Sequence, residues 1–153
     1  MPFPLDKTVS IASVTDGTSN TLFVAEIRKG ATNDVRGNLW MSLPGAGNFN
    51  TRFTPNGSTD VYQYVNPALK PSPGIATVDT TPNGFCVSEG SLPCKNVNPY
   101  AFSNAAARSL HPGGVNTLFG DGSVHFVKNT VNSLIWVGLG TISGGEVISS
   151  DAF

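Results

Sequence analysis

Residues 109–128 read SLHPGGVNTLFGDGSVHFVK, two alternating apolar and polar runs broken by Asp121-Gly122. Asp-Gly between such runs is the strongest short-range signal for a β-hairpin, because a two-residue type I′ turn needs positive φ at both central positions. That turn would set Gly120 opposite Ser123, Phe119 opposite Val124, Leu118 opposite His125 and Thr117 opposite Phe126. Side chains alternate across a strand, so Val115, Thr117, Phe119, Val124 and Phe126 are expected on one face, the core face.

The rest of the chain suits a fold of short segments. Asn, Ser and Thr supply 43 of the 153 residues, and Gly and Pro another 28. These residues disfavour helix interiors and favour turns. Only 12% of residues are charged and the net charge is -1, so there is no basic field to hold a phosphate backbone, and nucleic acid is not expected as a partner. With 39% hydrophobic residues the chain carries enough apolar surface for a core, and its length suits one domain spanning 1–153.

Before the hairpin, Val9, Ile11 and Val14 form a short strand or helical turn ahead of Asp16-Gly17, and Leu22, Phe23, Val24, Ala25 and Ile27 read as a buried strand. Trp40, Met41 and Leu43 give a weak strand signal, and Tyr62, Tyr64 and Val65 another. Residues 67–99 are broken by prolines into an irregular excursion. After the hairpin, TVNSLIWVGLG spaces Val131, Leu134, Ile135 and Val137 as a short helix, with Thr130 as N-cap, Gly138 or Gly140 as stop, and Trp136 laid on the sheet. GGEVISSDAF is expected to end the fold as a strand.

Cys86 and Cys94 flank a loop containing Gly90 and Pro93. A local disulfide is the favoured reading, implying an oxidising compartment. Two unrelated thiols and an incomplete two-ligand metal site are the alternatives. The start, MPFPLDKTV, lacks the basic and apolar regions of a signal peptide, and no run of about 18 apolar residues predicts a membrane span.

Three segments carry a resemblance: TDGTSNTLFVAE (15–26), SLHPGGVNTLFGDGSVHFV and IWVGLGTISGGEV. In this order they resemble a large planctomycete family of unknown function, whose members begin with a prepilin-type cleavage and methylation segment and end in a region defined by His, nine residues, then Asp-Gly. His111 and Asp121-Gly122 stand at that spacing. The resemblance spans about residues 8–151 and covers only the C-terminal half of such proteins, so a truncated homologue, a processed product or an excised piece is expected. It implies a pseudopilin-like globular domain, linked to type II secretion and pilin-related assembly. The family often has Arg where this chain has His125, so an imidazole at that position is not implied.

Several chemistries can be written with these residues. A nucleophilic triad would draw on Ser19 or Ser109, His111, and Asp16 or Asp121, but no Gly-x-Ser-x-Gly elbow supports it. A metal set would combine His111, His125 and Asp121. Calcium would use Asp16 and Asp121, with Asp79 and Asp151 as further acids, although the carboxylates are scattered. A glycan platform would use Trp40, Tyr62 and Tyr64, with Tyr100 as a further ring, whereas Trp40 and Trp136 are the commoner type of core residue. The simpler reading is structural: Asp16, Gly17, Ser19, Asn20, His111, Gly113, Gly114, Asp121 and Gly122 bend and lock backbone, with His111 donating to a carbonyl or to Asp121.

The expectation is an α+β fold in which β predominates: an antiparallel sheet, a C-terminal hairpin and one or two short helices. Its role is non-enzymatic, that of a structural or assembly domain outside the cell, at the cell surface or in the periplasm. Self-association or pilin-like subunits are the partners, and no cofactor is needed. A glycan- or solute-binding module is the second reading, and a hydrolase the remote third.

Overall fold

The computed structural model describes residues 8–32, 34–41, 43–63, 86–97, 103–146, 148–149 and 152–153. Among these residues five strands are defined: β1 Leu22–Ala25, β2 Asp60–Gln63, β3 Cys94–Val97, β4 Gly114–Phe119 and β5 Val124–Lys128. One α-helix, α1, spans Ser133–Leu139, and short 3-10 turns span Ile11–Ser13 and Thr18–Asn20. The fold is therefore α+β with β predominating. Its residues fall into two compact units, one drawn from 1–26, 50–57 and 106–153, the other from 27–49 and 58–105.

The first unit holds a three-stranded antiparallel sheet in the order β1-β4-β5. The hairpin forms, but in a different register from the expected one. Leu118 pairs with Val124, Thr117 with His125, Asn116 with Phe126 and Val115 with Val127. The Gly122 N–H donates to the Phe119 carbonyl at 3.0 Å, and the Phe119 N–H to the Ser123 carbonyl at 2.9 Å. Gly120, Asp121 and Gly122 thus form a three-residue loop, a β-turn whose last residue, at φ 88°, takes the left-handed position of a bulge.

That one-residue slip exchanges the two faces of β5. Val115, Thr117 and Phe119 are buried as expected, but their partners on the inner face are His125 and Val127. Val124 and Phe126 point outward, 65% and 44% exposed. On the inner side, Leu22, Val115, Phe119 and Val127 are essentially sealed from solvent. Full burial of such a side chain contributes about 1.5–3 kcal/mol. Phe153 stacks on Phe119 with ring centroids 5.2 Å apart.

Helix α1 is capped two residues later than Thr130 implied. Asn132 is the N-cap, its side chain accepting from the Leu134 N–H at 2.8 Å, and Gly140 follows the last helical residue. Trp136 is fully buried, and its indole N–H donates to the Phe53 carbonyl at 2.8 Å. The described residues of the terminal segment form no strand, and the Ala152 N–H donates to the Ser149 carbonyl at 3.0 Å; residues 147, 150 and 151 of the expected strand lie outside the described residues.

The second unit contains a separate two-stranded sheet in which β2 and β3 run parallel, Asp60 opposite Cys94 and Tyr62 opposite Asn96. This parallel pair is additional to the expected antiparallel sheet. Parallel strands cannot be joined by a tight turn and need a crossover connection. Trp40 stands in a turn rather than a strand and is 82% exposed, so it is not the core residue its type suggests. The core here is Val35, Tyr62, Cys86, Cys94 and Ala105, with Met41 and Leu43 packed against it.

Cys86 and Cys94 are joined by a disulfide. The loop they close lies over a buried ion triad that spacing alone did not reveal. The Arg36 guanidinium donates to Asp34 through Nη2 at 2.6 Å and Nε at 3.0 Å, and to Asp60 through Nη1 at 3.1 Å. It also donates to the carbonyls of Val87 and Leu92, both inside the disulfide loop, at 2.8 and 3.0 Å. Burial works to lower the Arg36 pKa, but the two carboxylates outweigh it and hold the guanidinium above its ordinary value.

Candidate functional site

The motif residues gather at three places in the first unit. At the N-terminal motif, Asp16 reaches across the fold to the C-terminal one. Its Oδ2 accepts the Gly144 N–H at 2.8 Å and the Thr141 hydroxyl at 3.2 Å, and its Oδ1 accepts the Gly145 N–H at 2.9 Å. Partial desolvation works to raise the Asp16 pKa, but the Gly145 and Gly144 amides and the Thr141 hydroxyl hold it below the ordinary 3.8. Gly17 follows at φ 93°, and its carbonyl accepts from the Asn20 N–H at 3.0 Å and the Thr21 hydroxyl at 3.0 Å. Asn20 also donates to the Asp16 carbonyl at 3.3 Å, while Ser19 is exposed in the second 3-10 turn.

The second place is the base of the hairpin. Glu26, one residue beyond β1, accepts the Asn116 N–H at 2.8 Å through Oε2. Its Oε1 lies 3.2 Å from Asn116 Nδ2 and 3.0 Å from His111 Nε2. With the imidazole proton on Nε2, Glu26 is the common acceptor for imidazole, side-chain amide and backbone amide. Desolvation works to raise the Glu26 pKa, but Asn116 and then His111 outweigh it and keep the carboxyl below its ordinary 4.5. His111 is thus braced by Glu26, not by Asp121. Ser109 is bound to backbone as well: its hydroxyl donates to the Gly114 carbonyl at 2.6 Å and accepts the His111 N–H at 3.1 Å. Asn56 completes the brace, its Oδ1 accepting the Ser109 N–H at 2.9 Å and its Nδ2 donating to Asn129 Oδ1 at 3.0 Å. Gly113 turns the chain at φ 87°, and a Cβ on Gly114 would run into the Val127 carbonyl and the Phe126 ring.

The third place is the hairpin tip. Asp121 Oδ1 accepts the Ser123 N–H at 2.8 Å and its hydroxyl at 2.7 Å, and His125 Nε2 lies 3.0 Å from the same hydroxyl. The Ser123 hydroxyl and N–H hold the Asp121 carboxyl below its ordinary value. Here the hydroxyl sits between carboxylate and imidazole, not at the end of a relay, so the order differs from that of a charge-relay triad.

His111 precedes β4 and Asp121 follows it, so a six-residue strand, roughly 20 Å long, separates them. The triad and the His111–His125–Asp121 metal set are therefore not assembled. Asp16 and Asp121, the calcium candidates, likewise lie in separate clusters; both Asp16 oxygens and Asp121 Oδ1 accept from protein donors. Among the described residues, no three His, Cys, Asp or Glu side chains stand together as a metal site. A pocket of ≈ 210 Å³ is lined by Lys128, Thr130, Val131, Asn132, Ala152 and Phe153, and no motif side chain reaches it.

Of the glycan candidates, Tyr62 is fully buried with its hydroxyl donating to the Pro44 carbonyl at 2.5 Å, and presents no stacking face. Tyr64 and Tyr100 lie outside the described residues. Trp40 remains exposed beside Leu39. No described helix is long and apolar enough to cross a membrane.

No curated protein and no solved structure matches the chain. A family model, described as a protein of unknown function (DUF1559), matches residues 3–134 of the 153. The chain belongs to that family of proteins of unknown function.

Proposed function

We propose that this chain is a non-enzymatic structural domain of a secreted or cell-surface, pseudopilin-like protein, and that it works by packing against copies of itself or related subunits. One observation carries the reading. The polar side chains of Ser109, Glu26 and Asp16 in its sequence motifs end on backbone groups 5 to 129 residues away, which holds the sheet and its ends in place. The disulfide suits an oxidising compartment. The outer face of the sheet supports the packing role. Val24, Leu118 and Val124 stand directly opposite one another across the three strands, all at least one-third exposed, with Phe126 alongside. Such contiguous apolar surface marks interaction sites. In full-length relatives of the kind the motifs resemble, a prepilin-type helix would anchor the domain.

Sedimentation velocity on the whole chain at increasing concentration tests this reading. Growth of species heavier than the monomer supports it, and a lone monomer at every concentration contradicts it. Trp40, 82% exposed, favours a second reading as a glycan-binding module, which a glycan array would test.

A further inference from the structure

Strand β5 is the edge of its sheet, and its pairing with β4 decides which of its backbone groups remain for something else. Phe119 donates to Ser123 and Asn129 donates to Gly113, so the hydrogen-bonded pairs of this ladder fall at odd-numbered residues. Thr117 with His125 and Val115 with Val127 continue that series. The N–H and C=O groups of Val124, Phe126 and Lys128 therefore point away from β4. No described group bonds to those of Val124 and Phe126, while the Lys128 carbonyl accepts the Val131 N–H at 3.1 Å. Edges of this kind are usually blunted by Pro, by a bulge, or by charges along the strand. The sequence VHFVK has only Lys128, at its end.

We propose that this edge pairs with β5 of a second copy, antiparallel, about a twofold axis at His125. The proposal rests on the assembly reading above and names its interface. A twofold at His125 sets Val124 opposite Phe126 of the second copy and Gly122 opposite its Lys128. Three features of the strand agree with that register. Val124 and Phe126 are hydrogen-bonded partners in it, which uses the groups that point outward. Their exposed side chains lie on the same outer face, so the row Val24–Leu118–Val124 continues onto the second copy's Phe126. The exposed Lys128 comes next to the Asp121 carboxylate at the opposing hairpin tip, an opposite-charge contact made twice. Two three-stranded sheets become one of six strands.

Phe126→Pro deletes one outward N–H and disturbs no bond within the chain, because proline is tolerated on an edge strand where its missing N–H faces solvent. The wild-type chain is expected to sediment partly as a dimer, and the Phe126→Pro chain as a monomer with its thermal midpoint close to that of the wild type. A second test needs no proline. Val124→Cys chains mixed with Phe126→Cys chains under mild oxidation are expected to form a 124–126 cross-linked pair, identified by peptide mass, well above the yield of either variant alone. Should Phe126→Pro fail to fold, the cross-link decides the matter. An associating wild type with no 124–126 cross-link, or a folded Phe126→Pro chain that associates as well as the wild type, overturns the edge and leaves the assembly reading intact. A wild type that stays monomeric at all concentrations removes both.

Discussion

The Asp16 carboxylate accepts the backbone N–H of Gly144 at 2.8 Å, across 128 residues of chain. With the Thr15 N–H on the Ile142 carbonyl at 2.7 Å, it ties the segment before β1 to the segment after α1. Asp16→Ala strips the acceptor from two backbone amides and a hydroxyl, and is expected to cost about 1–2 kcal/mol. Asp16→Asn keeps one acceptor oxygen and should lie between the two. Thermal unfolding followed by circular dichroism reads this, and equal midpoints for all three chains would contradict it.

The hairpin tip gives a second prediction. Gly122 sits at φ 88° with open space around its Cβ position, so a side chain there meets backbone strain and no clash. Gly122→Ala is expected to destabilise by about 1 kcal/mol, and Gly122→Asn by less, since Asn adopts left-handed backbone more readily. Chemical denaturation measures both. A larger loss for Asn than for Ala would place the tip in another turn type.

In the second unit, the disulfide and the Arg36 triad are separable. Reduction of Cys86–Cys94 is expected to lower stability by about 2–3 kcal/mol, since the bridge closes a short loop. Arg36→Met leaves Asp34 and Asp60 buried without their cation, and is expected to cost about 3–5 kcal/mol. Urea midpoints of the oxidised, reduced and Arg36→Met chains test the ranking. A reduced chain less stable than the Arg36→Met chain would reverse it.

Local chemistry was the legible part of this sequence. The hairpin, the strand 22–25, the short helix and the 86–94 bridge all follow from alternation, turn residues and cysteine spacing. The register did not, because Asp-Gly fits either a two-residue turn or the last two positions of a three-residue loop with a bulge. The apolar pattern could not break the tie: Val124 and Phe126 look like core residues and face outward. Contacts between distant segments left no periodic trace. Glu26 lies 85 residues from His111, and Arg36 lies 24 from Asp60. The one available hint was charge itself, since in a chain with 12% charged residues a buried Asp-x-Arg is conspicuous. Trp40 went the other way, because residue type suggested burial and a turn exposed it.

Glu26 and Asp16 supply the most direct test that the motif side chains serve the backbone. Both carboxyls titrate below their ordinary values when folded, so the folded chain binds fewer protons than the unfolded one just below pH 4.5. Their contribution to stability is complete above that pH and is lost as pH falls through the folded-state values. The measurement is an NMR pH titration of the backbone amides of Asn116 and Gly144, which Glu26 and Asp16 accept. The expected result is that the Asn116 shift follows a midpoint below 4.5 and the Gly144 shift one below 3.8, each abolished by Glu26→Gln or Asp16→Asn respectively. Amide shifts that ignore these titrations, or midpoints at or above those values, would contradict it.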